Sequence, residues 1–206
     1  MDAHFYFDAT ASLGQGGSET SGMVCDILAR TLMHIHAAAC PRTIAFATAL
    51  PGMRQGNVPH PGNALRFFFD SRDDAETLRD EVMTNRTIRD YVALDRIRAA
   101  SVTKGSVEYR MVRQRSLKRC LTPPKRLARV SDPVRDEERF RTQFEYNNRL
   151  PRLRIQSQSN GQVFDLRIER VIHDSVEPSN TFTPNGWGLG TRTNTFRLPL
   201  LLAARC

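Results

Sequence analysis

The first hundred residues combine short apolar runs with stretches of helical apolar spacing. Residues 22–39 carry apolar side chains three and four positions apart, which predicts a helix with Ser21 as its N-cap and Pro41 close to its end. Residues 70–92 predict a second helix or a broken pair of helices. Their first turn is acidic, which suits the positive end of a helix dipole. Apolar runs predict strands over residues 3–8, 43–50, 65–70 and 94–100.

These elements follow one another in the order β-α-β-β-α-β. That order is typical of the ferredoxin-like fold, which is common among RNA-binding domains such as the RNA-recognition motif (RRM). We therefore predict an α+β protein whose residues 1–105 form a ferredoxin-like (RRM-like) N-terminal domain.

Residues 106–206 predict a smaller C-terminal α+β domain. Pro123 and Pro124 open a short basic helix, because proline is tolerated in the first turn of a helix. A glycine-rich loop, TPNGWGLGTRTN (183–194), precedes the last apolar run. The other predicted elements are strands over 107–115, 151–157, 163–171 and 196–203 and a mixed-charge helix over 133–146.

The positive charge of the chain is concentrated in one strip. The formal net charge is +8 at pH 7. Residues 101–155 contain fifteen Lys/Arg and six Asp/Glu, a net +9, so the other 151 residues sum to −1. Within that range, residues 110–129 contain eight basic side chains and no acidic one. A nearly neutral body with one basic strip is typical of a polyanion-binding protein.

Composition narrows the class of protein further. With 206 residues, 40% of them apolar, the chain can form a globular core. No apolar run reaches the roughly 18 residues of a membrane helix, and MDAHFYFDAT does not resemble a secretion signal. The four cysteines form no C-x-x-C pair, which favours a cytoplasmic protein without a disulfide framework or zinc site. We expect no metal and no cofactor, since a helix's first turn explains the acidic residues Asp73, Asp74 and Glu76.

The segment RLRIQSQSNGQVFDLRIER (152–170) has the spacing S-x-S-x-G-Q-x-F, at Ser157, Ser159, Gly161, Gln162 and Phe164. Together with WGLG (187–190) and the apolar C-terminal run, it resembles the CRISPR RNA-processing endoribonucleases of type I-F systems, the F-subtype members of the Cas-six family. The resemblance implies a protein that cleaves the hairpin repeats of precursor CRISPR RNA. It also implies that the protein stays bound to the 3′ hairpin as a subunit of a type I-F surveillance complex.

Cleavage of RNA without a metal requires a base that deprotonates a ribose 2′-hydroxyl. Histidine titrates nearest to neutral pH, so it is the candidate base. The resemblance places the family's histidine late in the first helix, where Ile35-His36 fits best. Helix geometry leaves His34 open as well, because at about 100° per residue the two histidines flank opposite edges of the apolar stripe. Either could instead be a surface histidine beside a core stripe.

The resemblance assigns further residues of the active site. Ser157 corresponds to the serine that positions the 2′-hydroxyl, and Gln158 and Ser159 are candidates for phosphate or backbone contacts. Phe164 is a candidate to stack on the closing base pair, although a strand phenylalanine is more often part of a core. The family has a tyrosine where this chain has Trp187, which keeps an aromatic ring and loses the phenolic hydroxyl.

Two alternatives to an active endoribonuclease remain open from the sequence. The first is a catalytically weak subunit that binds the hairpin, which the change to Trp187 allows. The second is an unrelated RRM-like RNA-binding protein, although the usual [KR]-G-[FY]-[GA]-[FY] stretch is missing.

The resemblance implies that the C-terminal domain, residues 106–206, binds RNA, and it assigns the basic strip to this role. VRQRS (112–116) resembles a linker that reads bases near the foot of the stem, and an arginine–guanine pair contributes roughly 1–3 kcal/mol. The predicted base readers are Arg113, Gln114 and Arg115. Basic residues three and four apart share one face of the helix after Pro124, where they form part of a row of phosphate contacts. The row consists of Lys118, Arg119, Lys125, Arg126 and Arg129.

We expect the double substitution Arg126→Ala and Arg129→Ala to weaken the salt dependence of hairpin binding. Each lost phosphate contact lowers the slope of log K against log[salt] by roughly one unit, because fewer counterions are released. Titrations of a repeat hairpin between about 50 and 200 mM salt measure this slope. An unchanged slope would show that neither arginine contacts a phosphate.

Overall fold

The computed structural model describes residues 3–12, 19–100, 105–112, 133–156, 161–174 and 184–201. The helices are α1 (Glu19–Arg42), α2 (Arg72–Thr84), α3 (Arg86–Tyr91) and α4 (Pro133–Asn148). The strands are β1 (Phe5–Ala11), β2 (Ala47–Ala49), β3 (Ala64–Phe69), β4 (Val92–Leu94), β5 (Arg98–Ala99), β6 (Ser106–Val112), β7 (Arg152–Gln156), β8 (Val163–His173) and β9 (Leu198–Pro199).

The N-terminal strands form an antiparallel sheet in the order β2-β3-β1-β4, with β5 also pairing with β1. This is the strand order of the ferredoxin-like fold, so the predicted α+β class and N-terminal fold are confirmed. The predicted broken pair of helices is α2 and α3, and Asn85 separates them. Its backbone ends α2 while its side chain accepts a hydrogen bond from Ile88 N and caps α3. The predicted fourth strand is split into β4 and β5.

The C-terminal strands form a second antiparallel sheet in the order β7-β8-β6-β9. If β6 is counted as the first strand of this sheet, the order is second, third, first and fourth strand, as in the N-terminal sheet. The mixed-charge helix predicted over 133–146 is α4. The predicted final strand over 196–203 is much shorter in the described residues, where only Leu198–Pro199 pairs with β6. Buried residues of both sheets belong to one hydrophobic cluster, so the core does not divide at residue 105. The predicted boundary between two domains at that residue stays a prediction.

Helix α1 places its apolar stripe in the core. Leu28, Leu32 and Ile35 are fully buried, as the spacing predicted. The predicted N-cap at Ser21 is wrong, because the helix already begins at Glu19 and the Ser21 hydroxyl is hydrogen-bonded to His60 Nε2 at 2.9 Å.

By length and composition alone, the helical segment Ser21–Arg42 could cross a membrane. This differs from the expectation that no apolar run is long enough for a membrane helix. Three of its large apolar side chains are fully buried here, and Asp26 and Arg30 on the same helix face solvent. We interpret α1 as a core helix.

The first sheet does not present an open aromatic face. Tyr6 and Phe68 are neighbours in register, with ring centroids 5.7 Å apart, and are only 9% and 1% exposed. Tyr109 of the second sheet reaches across to donate its hydroxyl to the Leu50 carbonyl oxygen at 3.1 Å. An RRM stacks bases on exposed aromatic side chains of its sheet, and these two rings are unavailable for that.

An ion pair is buried beside the Tyr6 ring. The Arg66 guanidinium donates to both carboxylate oxygens of Asp8, at 2.6 and 2.8 Å, and lies 4.6 Å from the centre of the Tyr6 ring. The side chains of Arg66 and Asp8 are 4% and 13% exposed. Bidentate geometry and the aromatic ring together compensate the guanidinium for its lost hydration.

We expect Asp8→Ala to destabilise the protein by about 3–5 kcal/mol, because it leaves a buried guanidinium without its counter-charge. The matched control is Glu76→Ala, which removes the partner of Arg72 from a pair whose side chains are 51% and 62% exposed. That loss should stay below about 1 kcal/mol. Urea unfolding followed by circular dichroism measures both variants, and equal losses would contradict the prediction.

Candidate active site

The loop Asn185–Gly190 is closed on itself by its first residue. The side-chain oxygen of Asn185 accepts hydrogen bonds from Trp187 N at 2.9 Å and from Leu189 N at 3.1 Å. Two backbone hydrogen bonds join Asn185 to Gly188 and Leu189. Gly188 has φ 70°, in the left-handed region that favours glycine, and a Cβ there would lie 2.5 Å from the Thr48 hydroxyl. The local sequence Asn-Gly-Trp-Gly therefore builds a tight turn.

This loop is anchored to both sheets. Thr48 of β2 donates its backbone N–H to Gly188 O at 2.7 Å and its hydroxyl to Trp187 O at 2.9 Å. At the other end of the loop, Gly190 N donates to Tyr109 O at 2.9 Å and Gly190 O accepts from Met111 N at 2.8 Å. The loop therefore has a fixed position between the edge of the first sheet and β6.

His36 projects from α1 onto this loop. Its Nδ1 lies 2.6 Å from Gly186 O, and its ring centroid lies 4.4 Å from that of Trp187. Because a carbonyl oxygen can only accept, Nδ1 carries the proton, and the neutral imidazole keeps a free lone pair on Nε2. A Cβ at residue 186 would lie 2.9 Å from His36 Cε1, so glycine is required for this approach.

Phe164 completes a row of three rings. Its centroid lies 6.0 Å from that of Trp187, with the rings at 63° in an edge-to-face arrangement. Phe164 is the second residue of β8, pairs in register with Ile155 and is 38% exposed. The indole of Trp187 is therefore in contact both with the imidazole on α1 and with a partly exposed phenyl ring on β8.

The two histidines left open by helix geometry lie in different surroundings. His34 donates from Nε2 to Glu81 O of α2 at 3.2 Å, whereas His36 contacts the loop. Only His36 of this pair is in contact with Trp187, although its role as a base stays a prediction. The other three histidines lie beside Asp70 (His4), Ser21 (His60) and Glu108 (His173).

Most of the other predicted site residues lie outside the described residues. Ser157 directly follows Gln156, the last residue of β7, and Gln156 pairs with Val163 next to Phe164. The predicted residues outside the described ranges are Ser157, Gln158, Ser159, Arg113, Gln114, Arg115, Lys118, Arg119, Lys125, Arg126 and Arg129. Of the predicted site residues, the structure therefore brings together His36, Trp187 and Phe164.

Three residues that build this arrangement were not predicted as site residues from the sequence, namely Thr48, Asn185 and Gly186. The Asn185-Gly186 dipeptide is a turn signal that could have identified the turn within the glycine-rich loop. Thr48 carries no such signal, because a threonine in a short strand is ordinary and its partner Trp187 is 139 residues away.

A second group of ionisable side chains lies on the other side of the second sheet. Tyr146 of α4 donates its hydroxyl to Glu169 of β8. Burial, this hydrogen bond and the nearby negative charge raise the pKa of Tyr146 to about 12, so the phenol stays neutral and can donate but not act as a base at neutral pH. Glu108 lies buried among Arg110, His173 and Arg197. In the described part of the chain, no three His, Cys, Asp or Glu side chains form a group that could hold a metal ion.

Comparison with known proteins gave one family. The family model described as CRISPR-associated protein (Cas_Csy4) matches residues 20–195. No curated protein matches the chain significantly. A solved structure of the CRISPR endoribonuclease Cse3 bound to 19-nucleotide RNA is similar at 10% identity and TM-score 0.34, over 95% of this chain and 100% of that chain. A chlorite dismutase structure is similar at 9% identity and TM-score 0.27, over 82% of this chain and 78% of that chain. The two structural similarities are too low to support an argument about activity.

We expect the emission of Trp187, the single tryptophan of the chain, to depend on the imidazole of His36. The two ring centroids lie 4.4 Å apart, so removal of the imidazole changes the surroundings of the indole. The intensity or wavelength of the emission should change in His36→Gln and stay the same in His34→Gln, because the His34 imidazole contacts α2 and not the loop. A change in emission only in His34→Gln would contradict the placement.

Proposed function

Since the chain belongs to the family of CRISPR-associated proteins Cas_Csy4, whose model matches residues 20–195, we propose that it is an endoribonuclease that cleaves the hairpin repeats of precursor CRISPR RNA. The observation that carries the proposal is the contact between His36 and the loop Asn185–Gly190. That contact leaves Nε2 of His36 free to accept a proton, beside the rings of Trp187 and Phe164.

The proposed reaction needs only a base, a held nucleophile and a leaving group. Nε2 of His36 removes the proton from a ribose 2′-hydroxyl, and the oxygen attacks the adjacent phosphorus. The bond from phosphorus to the 5′-oxygen breaks, which leaves a 2′,3′-cyclic phosphate on one fragment. The 5′-oxygen of the other fragment takes up the proton that Nε2 of His36 removed, which the imidazolium returns. The Gly186 carbonyl continues to accept from Nδ1 and stabilises the imidazolium.

Neighbouring residues supply the remaining contacts in this proposal. Ser157 follows β7 directly and holds the 2′-hydroxyl, while Gln158 and Ser159 contact the phosphate or backbone. Phe164, which is partly exposed, stacks on the base pair that closes the hairpin. These roles follow from the family's motif and from the position of Phe164 next to Trp187.

The geometry supports an active enzyme over a catalytically weak binding subunit. In the family a tyrosine precedes the Gly-Leu pair, and its hydroxyl is missing in Trp187. Here the acceptor for Nδ1 of His36 is the Gly186 carbonyl oxygen, so orientation of the imidazole does not depend on a phenol. The burial of Tyr6 and Phe68 likewise disfavours an RRM-like protein that stacks RNA on its sheet.

RNA binding in this proposal is assigned to the basic strip at residues 110–129. Arg113, Gln114 and Arg115 read bases near the foot of the stem. The row of phosphate contacts defined above holds the groove of the hairpin. The enzyme then stays on the 3′ hairpin of its product as a subunit of a type I-F surveillance complex in the cytoplasm.

We expect His36→Ala to abolish cleavage of a cognate repeat hairpin while its affinity for that hairpin stays within about twofold. Loss of a general base typically lowers the rate 10²–10⁴-fold. Cleavage by the unaltered protein should proceed in EDTA and leave a 2′,3′-cyclic phosphate. Gel analysis with end-labelled RNA measures rate and product, and filter binding measures affinity.

Two controls distinguish the alternatives. A hairpin with a 2′-deoxyribose at the cut should bind and stay intact, and His34→Ala should retain activity. A strict requirement for Mg²⁺ would overturn the mechanism, and cleavage lost only in His34→Ala would overturn the assignment of the base. Binding without any cleavage by the unaltered protein would favour the catalytically weak subunit.

A further inference from the structure

Building on the cleavage reaction proposed above, we propose that Thr48 and Asn185 are positioning residues that hold His36 in the tautomer with a free Nε2. In the described residues, the His36 imidazole is hydrogen-bonded to the Gly186 carbonyl oxygen and to neither of these two side chains. Both act through the peptide groups of the loop Asn185–Gly190, one from the first sheet and one from within the loop.

Asn185 fixes the peptide group that contacts His36. The carbonyl of Gly186 and the N–H of Trp187 belong to one planar unit and point in opposite directions. The N–H end is held by the Asn185 side-chain oxygen at 2.9 Å, and the carbonyl end accepts from His36 Nδ1 at 2.6 Å. Rotation of this unit would break both hydrogen bonds at once.

Thr48 fixes the next peptide group of the loop. Its hydroxyl donates to Trp187 O at 2.9 Å, and the N–H of the same peptide group, from Gly188, donates to Asn185 O at 2.8 Å. Thr48 is completely buried and belongs to a strand of the core sheet, so it cannot follow the loop if the loop moves. Both peptide groups that flank Trp187 are therefore held at both ends.

The consequence for His36 is chemical as well as geometric. Which nitrogen of a neutral imidazole carries the proton is set by the hydrogen bond that the other nitrogen makes. When the Gly186 carbonyl is fixed, Nδ1 carries the proton and Nε2 can accept one. If the peptide group rotates, Nδ1 loses its acceptor, and the tautomer with a proton on Nε2 becomes populated. That tautomer cannot act as a base through Nε2.

The test compares Thr48→Val, which keeps the shape but removes the hydroxyl, with Thr48→Ser, which keeps the hydroxyl. A matched control is Thr31→Val, which removes another buried hydroxyl, one that donates to Ile27 O within α1. We expect single-turnover cleavage to fall about tenfold in Thr48→Val, less than on removal of the base itself. The rate should stay within twofold in the other two variants, and hairpin affinity should be unchanged in all three.

A readout independent of activity is the tautomer of His36, measured from its ¹⁵N chemical shifts in labelled protein. Nδ1 should be protonated in the unaltered protein and in Thr48→Ser, and the share protonated on Nε2 should rise in Thr48→Val. If the unaltered protein cleaves no hairpin, the proposed function fails, yet the tautomer shift still tests the positioning role. An unchanged tautomer, or an equal loss of rate in Thr48→Ser, would overturn the positioning role.

A second pair of variants keeps the test decisive if Thr48→Val does not fold. Asn185→Asp retains an oxygen that can accept from Trp187 N, and Asn185→Ala removes it. We expect the rate and the tautomer to change in the alanine variant and to be largely restored in the aspartate variant. The same effect in both variants would argue against a positioning role for Asn185.

Discussion

The two hydrogen bonds from Thr48 to the loop Asn185–Gly190 are the interaction on which the proposed site depends. In the described residues β2 lies at the edge of its sheet, where backbone groups lack a neighbouring strand and need partners. The loop supplies those partners from a distant part of the chain and also pairs with β6. One segment therefore covers a sheet edge, joins the two sheets and presents Gly186 and Trp187 to α1. The hydrogen bonds that attach the loop to the first sheet also fix the peptide groups beside His36. We therefore expect the imidazole to be oriented only when both sheets are folded and the loop has packed between them.

The second sheet explains why the aromatic rings of Tyr6 and Phe68 on the first sheet are buried. Along β6 and β8 the apolar pair of Met111 and Ile168 lies next to the charged pair of Arg110 and Glu169, and the two pairs face opposite sides of the sheet. The apolar side joins the common core, which leaves the rings of Tyr6 and Phe68 buried. In the proposed function, contacts to RNA are therefore assigned to the basic strip. This assignment agrees with the sequence, where the positive charge is concentrated in residues 101–155 and the rest is nearly neutral.

The fold could be predicted from the sequence because its elements are encoded locally. The stripe of Leu28, Leu32 and Ile35 identified α1, and apolar runs identified the strands of the first sheet in the correct order. The site could be predicted only in part, since periodicity places His34 and His36 on opposite edges of one stripe and cannot say what lies opposite each edge. That depends on where α2 and the loop pack, which is a tertiary property. Thr48 could not be found for the same reason, because its role depends on a partner 139 residues away.

The tryptophan in place of the family's tyrosine is best understood together with its two glycine neighbours. An indole has one N–H donor and no acceptor, so Trp187 cannot accept the proton of His36 Nδ1. The acceptor must then come from the backbone, and this requires the imidazole to approach residue 186 so closely that a Cβ would lie 2.9 Å from Cε1. Gly188 adopts the left-handed conformation that turns the chain back to Thr48. Residues 186–188 therefore act together. Gly186 allows the close approach of the imidazole and accepts its hydrogen bond, Gly188 turns the chain, and the indole of Trp187 contacts the imidazole ring. A peptide carbonyl whose planar group is held at both ends cannot rotate away from the imidazole as easily as the hydroxyl of a side chain can.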